Sequence, residues 1–426
     1  MLTVYSKPNG SNGKDCESTS RRDFIRVGAV GGSLLTLPNL LRANANESIR
    51  EKSVIWIWLA GGPTHVETFD PKMTAPVEYR SITGEVNTPI PGVTIGGTFP
   101  KIASCVDKMA IIRSFAHGNS SHGNATRWVM TGYDDRQGTK PSIGSIMAKN
   151  FGTTNPATGI PTYIRMNSIN GDGAGWLGTG YNPFNPNGPA VKNMSIAVSE
   201  DRFASRRGLL NSLDSINRAA DRSGKMEGID AFEQQAFDLI VGSSQDAFDI
   251  NKADPKLRQR YGKGLGESLL KARRLVDAGC RFVTVSYGGW DMHGGIVKGL
   301  KPRAAQMDQG ISALIDDLDQ QGKLDSTLVV ITGEFGRTPK INKNAGRDHW
   351  GRLCTLALAG GGLKMGQVIG ESSAKLETPV TSPIKPQDLM ATIFHMYGMD
   401  HKLQFMSNQG RPTYMIEDGE PIRELI

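Results

Sequence analysis

The sequence predicts an α/β protein with a parallel sheet and helices on its faces. Three stretches carry that prediction. Val54 to Leu59, Phe282 to Val285 and Leu328 to Ile331 are short apolar runs rich in β-branched residues, the composition of a strand buried on both sides. Each empties into a polar loop marked by glycine. Helical periodicity precedes Phe282 and returns between Phe282 and Leu328, and this order joins parallel strands by crossovers.

The elements follow in order. Val54 to Leu59 is the first strand, with Trp56 and Trp58 read as core residues on opposite faces, and it leads into Ala60-Gly61-Gly62-Pro63-Thr64-His65-Val66-Glu67-Thr68-Phe69-Asp70. A second strand around Met109 to Arg113 opens into a loop running from His117 to Arg127. Ser142 to Phe151 reads as a helix with Ile143, Ile146 and Met147 on one face. Residues 152–200 are rich in Asn, Gly and Pro and read as a long loop, a surface insertion or a lid. From Asp230 the apolar spacing becomes helical, through Phe232, Ala236, Leu239 and Ile240, and again through Leu269, Leu270, Ala272, Leu275 and Val276, where Gly279 ends the helix. The Phe282 strand follows and leads to Tyr287-Gly288-Gly289-Trp290-Asp291-Met292-His293. Met307, Ile311, Leu314, Ile315 and Leu318 mark the helix before the Leu328 strand. A short strand or turn at Gly366 to Gly370 and a helix from Asp388 to Tyr397 complete the chain, which carries no repeat and no clear internal boundary.

Composition narrows the functional classes. The 426 residues suffice for one large domain or two smaller ones. A net charge of +7 and a pI of about 9.1 invite a polyanion partner, yet no basic block or basic-aromatic interleaving points to nucleic acid. Ser20-Arg21-Arg22-Asp23-Phe24-Ile25-Arg26, the apolar stretch Val27 to Leu41 and Ala43-Asn44-Ala45 have the layout of a twin-arginine export signal, so residues 1–45 are expected to be removed. The predicted mature chain, residues 46–426, is then a single domain without a membrane span, placed in the periplasm or outside the cell. Beyond Cys16 only Cys105, Cys280 and Cys354 remain, without metal-ligand spacing, and no disulfide framework is expected.

The chemistry concentrates in the loops after strands. Five of the seven histidines lie there, His65, His117, His122, His293 and His349, beside the acids Glu67, Asp70, Asp291, Glu334 and Asp348. Imidazole with carboxylate suits Zn, Mn or Fe, and oxygen-rich versions suit Ca or Mg. Asp291 and His293 alternate and would face one side if the strand geometry continued. The bland readings stand beside these: Glu334 with Arg337 as a loop salt bridge, Asp348 as a cap, His395 and His401 as packing or surface residues.

Five co-linear blocks, AGGPTHVETFDPK, HGNSSHGNATRWVMTGY, YGGWDMHGG, GEFGRTP and GRDHWG, with the closing Gly410-Arg411-Pro412, resemble the signature of the bacterial family called domain of unknown function 1501. That family is grouped with the alkaline phosphatase and sulfatase superfamily. The resemblance implies a three-layer α/β/α sandwich around a largely parallel sheet, alkaline-phosphatase-like, with a divalent metal (Zn, Ca, Mg or Mn) at the strand ends. It further implies hydrolysis of a phosphate or sulfate ester, or, alternatively, a catalytically inactive fold that binds an anionic glycan or a protein partner. Carried over residue by residue, Glu67, Asp70, Asp291, His293, Glu334, Asp348 and His349 are the metal candidates. His122 stands where sulfatases carry the formylglycine cysteine and phosphatases Ser or Thr, as nucleophile or general acid/base, with Ser120 and Ser121 as neighbours. Arg127 or Arg337 would clamp the anion. Phe335, in place of a ligand histidine, implies one metal rather than two.

Overall fold

The strand Ser53–Trp58 (β1) is buried at every position because it lies mid-sheet with helices on both sides. A computed structural model describes residues 52–186, 244–407 and 409–426. The export signal of residues 1–45, the end of the Asn/Gly/Pro-rich stretch and the helix read through Phe232, Ala236, Leu239 and Ile240 lie outside the described residues.

Alternation along β1 separates two cores. Ile55, Ile57 and Leu59 pack with Leu269 and Leu270 of the helix Leu265–Asp277, and with Ile311, Leu314 and Ile315 of the helix Ile296–Gln320. Val54, Trp56 and Trp58 face the opposite layer. There they meet Val129 and Met130 of the helix His122–Thr131, Ile146 and Met147 of Ile143–Phe151, and Leu389 and Phe394 of Pro386–Met396. Trp56 and Trp58 therefore share one face, as a period of two requires, and the reading of them on opposite faces is corrected. Truncating the fully buried Trp56 to alanine would cost about 3–5 kcal/mol.

In chain order the central sheet adds Met109–Ile112 (β2), Tyr163–Met166 (β3), Phe282–Ser286 (β4), Thr327–Thr332 (β5), Leu356–Gly360 (β6) and Gln367–Ile369 (β7). Their spatial order is β7-β2-β6-β5-β1-β4-β3. Every neighbouring pair is parallel except those of β6, which runs antiparallel to both β5 and β2. The architecture is thus a three-layer α/β/α sandwich around a mostly parallel sheet. Two elements were not legible in sequence: β3, inside a stretch of turn-forming composition, and the reversed β6. The loop read from His117 to Arg127 gives way to a helix at His122.

No helix among the described residues is long and apolar enough to cross a membrane. Cys105, Cys280 and Cys354 are free and buried, and burial pushes each thiol up to about 12.

Candidate functional site

Because β5, β1 and β4 are parallel neighbours, their C-terminal ends open on one edge of the sheet, and the loops that follow them meet there. Leu59 N donates to Thr332 O, and Trp290 N donates to Ala60 O, which ties the three loops together. Gly61 sits at a φ of +111°, and a Cβ there would strike the Asp291 amide, so glycine is what lets β1 and β4 loops touch. The short antiparallel pair Gly336–Arg337 and His349–Trp350, with Arg337 opposite His349, brings the last histidine over the same edge.

Three electron-rich atoms converge at this edge. Asp291 Oδ1 lies 3.0 Å from His293 Nε2 and 3.1 Å from His349 Nε2, and the two nitrogens are 3.0 Å apart. His122 Nε2 lies 3.4 Å from Asp291 Oδ2. His122, Asp291 and His349 each offer one ligand atom within 4.8 Å of the others. The outer nitrogen of each ring is anchored: His293 Nδ1 to Asp348 Oδ1 at 2.6 Å, His349 Nδ1 to the Ser120 carbonyl at 3.1 Å, and His122 Nδ1 to Glu334 Oε1 at 2.7 Å. A carbonyl or carboxylate can only accept, so Nδ1 carries the proton and leaves the Nε2 lone pair facing inward. Two such lone pairs and a carboxylate oxygen in mutual contact repel unless a positive charge sits among them. Around a tetrahedral ion with bonds of about 2.0–2.1 Å, ligand atoms stand roughly 3.3 Å apart. The donor set therefore fits a divalent cation.

The local field favours the same protonation states. Burial works to raise the Asp291 carboxyl, but the hydrogen bond and charge of Arg337 outweigh it and lower the group. Hydrogen bonds from His293 and Asn342 lower Asp348. Burial lowers His349 below its ordinary value, although Asp291 opposes the change. Both acids are thus ionised and His349 is neutral under ordinary conditions, as ligation requires. Glu334 is 3% exposed; its Oε1 accepts from Gly61 N at 2.8 Å as well as from His122, while Oε2 is buried with no partner.

The structure brings together His122, Asp291, His293, Glu334, Arg337, Asp348 and His349. It sets three predicted residues apart. Glu67 is fully buried in a two-pronged ion pair with Arg347, at 2.7 and 3.0 Å, and also accepts from Thr64 Oγ1 at 2.7 Å, so no lone pair is left aimed at the cluster. Asp70, also buried, faces Arg113 at 3.4 Å. Arg127 donates to Asp135 O and Asn124 Oδ1 on its own segment. Arg337 belongs to the cluster but is no anion clamp. It is 1% exposed and donates to Gly61 O, Gly62 O, Arg347 O and Asp291 Oδ1, so each of its three nitrogens is engaged in holding the loops and the carboxylate. Phe335 is buried, with its ring centroid 4.6 Å from that of His349 and 4.9 Å from that of His122. Asn342 was missed: its Nδ2 donates to Asp348 Oδ1 at 3.2 Å and to His293 O at 3.0 Å. Its place in the turn between Arg337 and Arg347 was the available signal.

Among solved structures the chain is similar to the lipoteichoic acid synthase LtaP from Listeria monocytogenes, at 10% identity over 88% of this chain and 80% of that one, with a TM-score of 0.38. It is similar to the PsFucS1 sulfatase from Pseudoalteromonas sp. at 12% identity over 85% and 71%, with a TM-score of 0.39. For the phosphonate monoester hydrolase SpPMH from Silicibacter pomeroyi the values are 12%, 87% and 76%, with a TM-score of 0.35. Likeness at this level assigns no chemistry to the chain. No curated protein sequence matches it. The family match is of another kind, because it spans the sheet and every loop of the cluster: the chain belongs to the family described as protein of unknown function (DUF1501), whose model matches residues 51–426.

Proposed function

We propose that the protein is an exported, metal-dependent hydrolase of a phosphate or sulfate ester. The observation that carries this reading is the triangle of Asp291 Oδ1, His293 Nε2 and His349 Nε2, with edges of 3.0–3.1 Å at the C-terminal edge of a parallel sheet. Asp291, His293 and His349 would hold the ion, and the imidazole-rich donor set favours Zn over Ca, Mg or Mn. A bound divalent ion would neutralise the anionic ester and help activate the attacking group.

The chain's own residues supply the rest. Glu334 fixes the His122 ring through Nδ1, which leaves Nε2 beside Asp291 as nucleophile or general acid/base. His122 is also the first residue of its helix, whose N-terminal N–H groups lack a side-chain cap and favour an anion. Asp348 and Ser120 orient His293 and His349, and Arg337 keeps the Asp291 carboxylate ionised and in place.

One observation favours a second reading, a non-catalytic member that binds an anionic glycan: all three guanidinium nitrogens of Arg337 and two of those of Arg127 are engaged internally, which leaves the expected clamps few free donors. The deciding experiment is elemental analysis of the mature protein purified without chelator, beside Asp291→Ala and His293→Ala, followed by a screen of aryl phosphate and sulfate esters with the metal found. Near-stoichiometric metal lost in both variants, and turnover abolished in His122→Ala with metal retained, is the expected result. No metal after reconstitution and no turnover of any ester would retire the hydrolase reading.

A further inference from the structure

Beside the cluster lies a groove of about 430 Å³, within the range of about 300–1,000 Å³ typical of small-molecule sites. Its wall includes His117, Trp128, Pro383 and Gln387, and its two charged residues are Arg352 and Lys385; no acidic residue lines it among the described residues. The groove and the cluster share structure. His117 Nε2 bonds the Glu334 carbonyl at 2.7 Å, and His117 N and Gly118 N both donate to Gly351 O, between Trp350 and Arg352. The same loop offers the Ser120 carbonyl to His349. Burial lowers His117 to about 4, so this imidazole is neutral and the positive charge of the groove comes from Arg352 and Lys385.

We propose that this groove is a subsite for an acidic sugar unit of the substrate, its ring against Trp128 and its sulfate or carboxylate paired with Arg352 and Lys385. The indole is held by His117, with ring centroids 5.4 Å apart, and by Gln387, whose Oε1 accepts from Trp128 Nε1 at 3.4 Å. An electron-rich ring in a fixed wall suits the weakly positive C–H face of a pyranose. Lys385 precedes Pro386, and its own N–H is fixed by Asp388 Oδ2 at 2.8 Å, so its backbone is held at the start of the helix. The Arg352 guanidinium rests 5.6 Å from the centroid of the Trp350 ring, which holds it at the rim. Neither cation forms a salt bridge among the described residues, so neither needs to break one to bind an anion. The assignment of the bound sugar as part of the substrate rests on the hydrolase reading above, and it narrows the ester to one on an anionic glycan.

The test is calorimetric titration of the mature protein with a heparin-derived hexasaccharide, a polygalacturonate hexasaccharide and neutral cellohexaose. Binding of either acidic probe, weakening with salt, and none of cellohexaose is expected; the probe that binds distinguishes sulfate from carboxylate. The double variant Arg352→Ala/Lys385→Ala, at two exposed positions, should weaken binding about a hundredfold, roughly tenfold per charge-assisted contact. Trp128→Phe should weaken it severalfold. Silence with both acidic probes, or undiminished binding by the double variant, overturns the subsite. Wild-type turnover of simple aryl esters separates the two claims: turnover without glycan binding removes the subsite alone, whereas variant-sensitive binding with no turnover removes the hydrolase reading alone.

Discussion

Glu67 and Asp291 are both carboxylates in loops that follow neighbouring strands, and each lies against an arginine, yet they have opposite fates. Glu67 and Arg347 are fully buried and satisfy one another in two contacts. Asp291 has a side chain 45% exposed, and its Oδ1 faces Arg337 and two imidazole nitrogens at once. The first arrangement exhausts its lone pairs on fixed donors and locks the β1 loop to the segment that carries His349. The second gathers two imidazole nitrogens and a carboxylate oxygen, and Arg337 reaches only the carboxylate among them. A carboxylate thus becomes structural when its donors match its lone pairs in number, and a ligand when acceptors crowd together near solvent.

Four variants press on that contrast. The largest effect is expected for Glu67→Ala, which strands a buried guanidinium. Denaturant unfolding should show a loss of about 3–5 kcal/mol, and a loss below about 1 kcal/mol would break the structural assignment. Asp291→Ala should cost the apo protein about 1–2 kcal/mol, less than Glu67→Ala, because the carboxylate is half exposed although its loss leaves the buried Arg337 guanidinium without its counter-charge. Its bound metal should vanish, and added metal should raise the Tm of the wild type but not of the variant. Metal retained in Asp291→Ala would dissolve the comparison.

The third prediction uses His65, in the same buried loop as Glu67. Its Nε2 meets Leu376 O at 3.1 Å, and burial, with Arg347 adding to it, lowers the group to about 3 although that hydrogen bond opposes the shift. A histidine lowered in the folded state takes up its proton first in the unfolded chain. Its contribution is therefore fully present above about pH 6.5 and is lost as pH falls from there toward about 3. His65→Gln should flatten that part of the stability profile by about one proton, measured by urea unfolding at several pH values. The smallest effect is expected for Arg127→Lys. It should cost about 1 kcal/mol through lost contacts to Asp135 and Asn124 and leave metal content unchanged, whereas a change in metal content would return Arg127 to the site.

What the sequence determined by itself is the local part. Val54 to Leu59, Phe282 to Val285 and Leu328 to Ile331 announce buried strands because unbroken β-branched runs suit a parallel sheet, and the structure has strands at Ser53–Trp58, Phe282–Ser286 and Thr327–Thr332. The loops after them carry the histidines and acids, and the family blocks order them. The tertiary structure alone decided which of those side chains meet. Nothing local distinguishes Glu67 from Glu334, because the difference lies in Arg347 and His122, which reach them from distant segments. Arg337 looked like an anion clamp by type and neighbourhood, and only the packing of the loops around it shows each guanidinium nitrogen engaged. The reversed strand Leu356–Gly360 and the edge strand Tyr163–Met166 escaped for the same reason: pairing partners supplied by the rest of the sheet, not their own composition, make them strands. Propensity and periodicity are short-range, whereas ligation and ion pairing depend on contacts that exist only once the strands have been laid side by side.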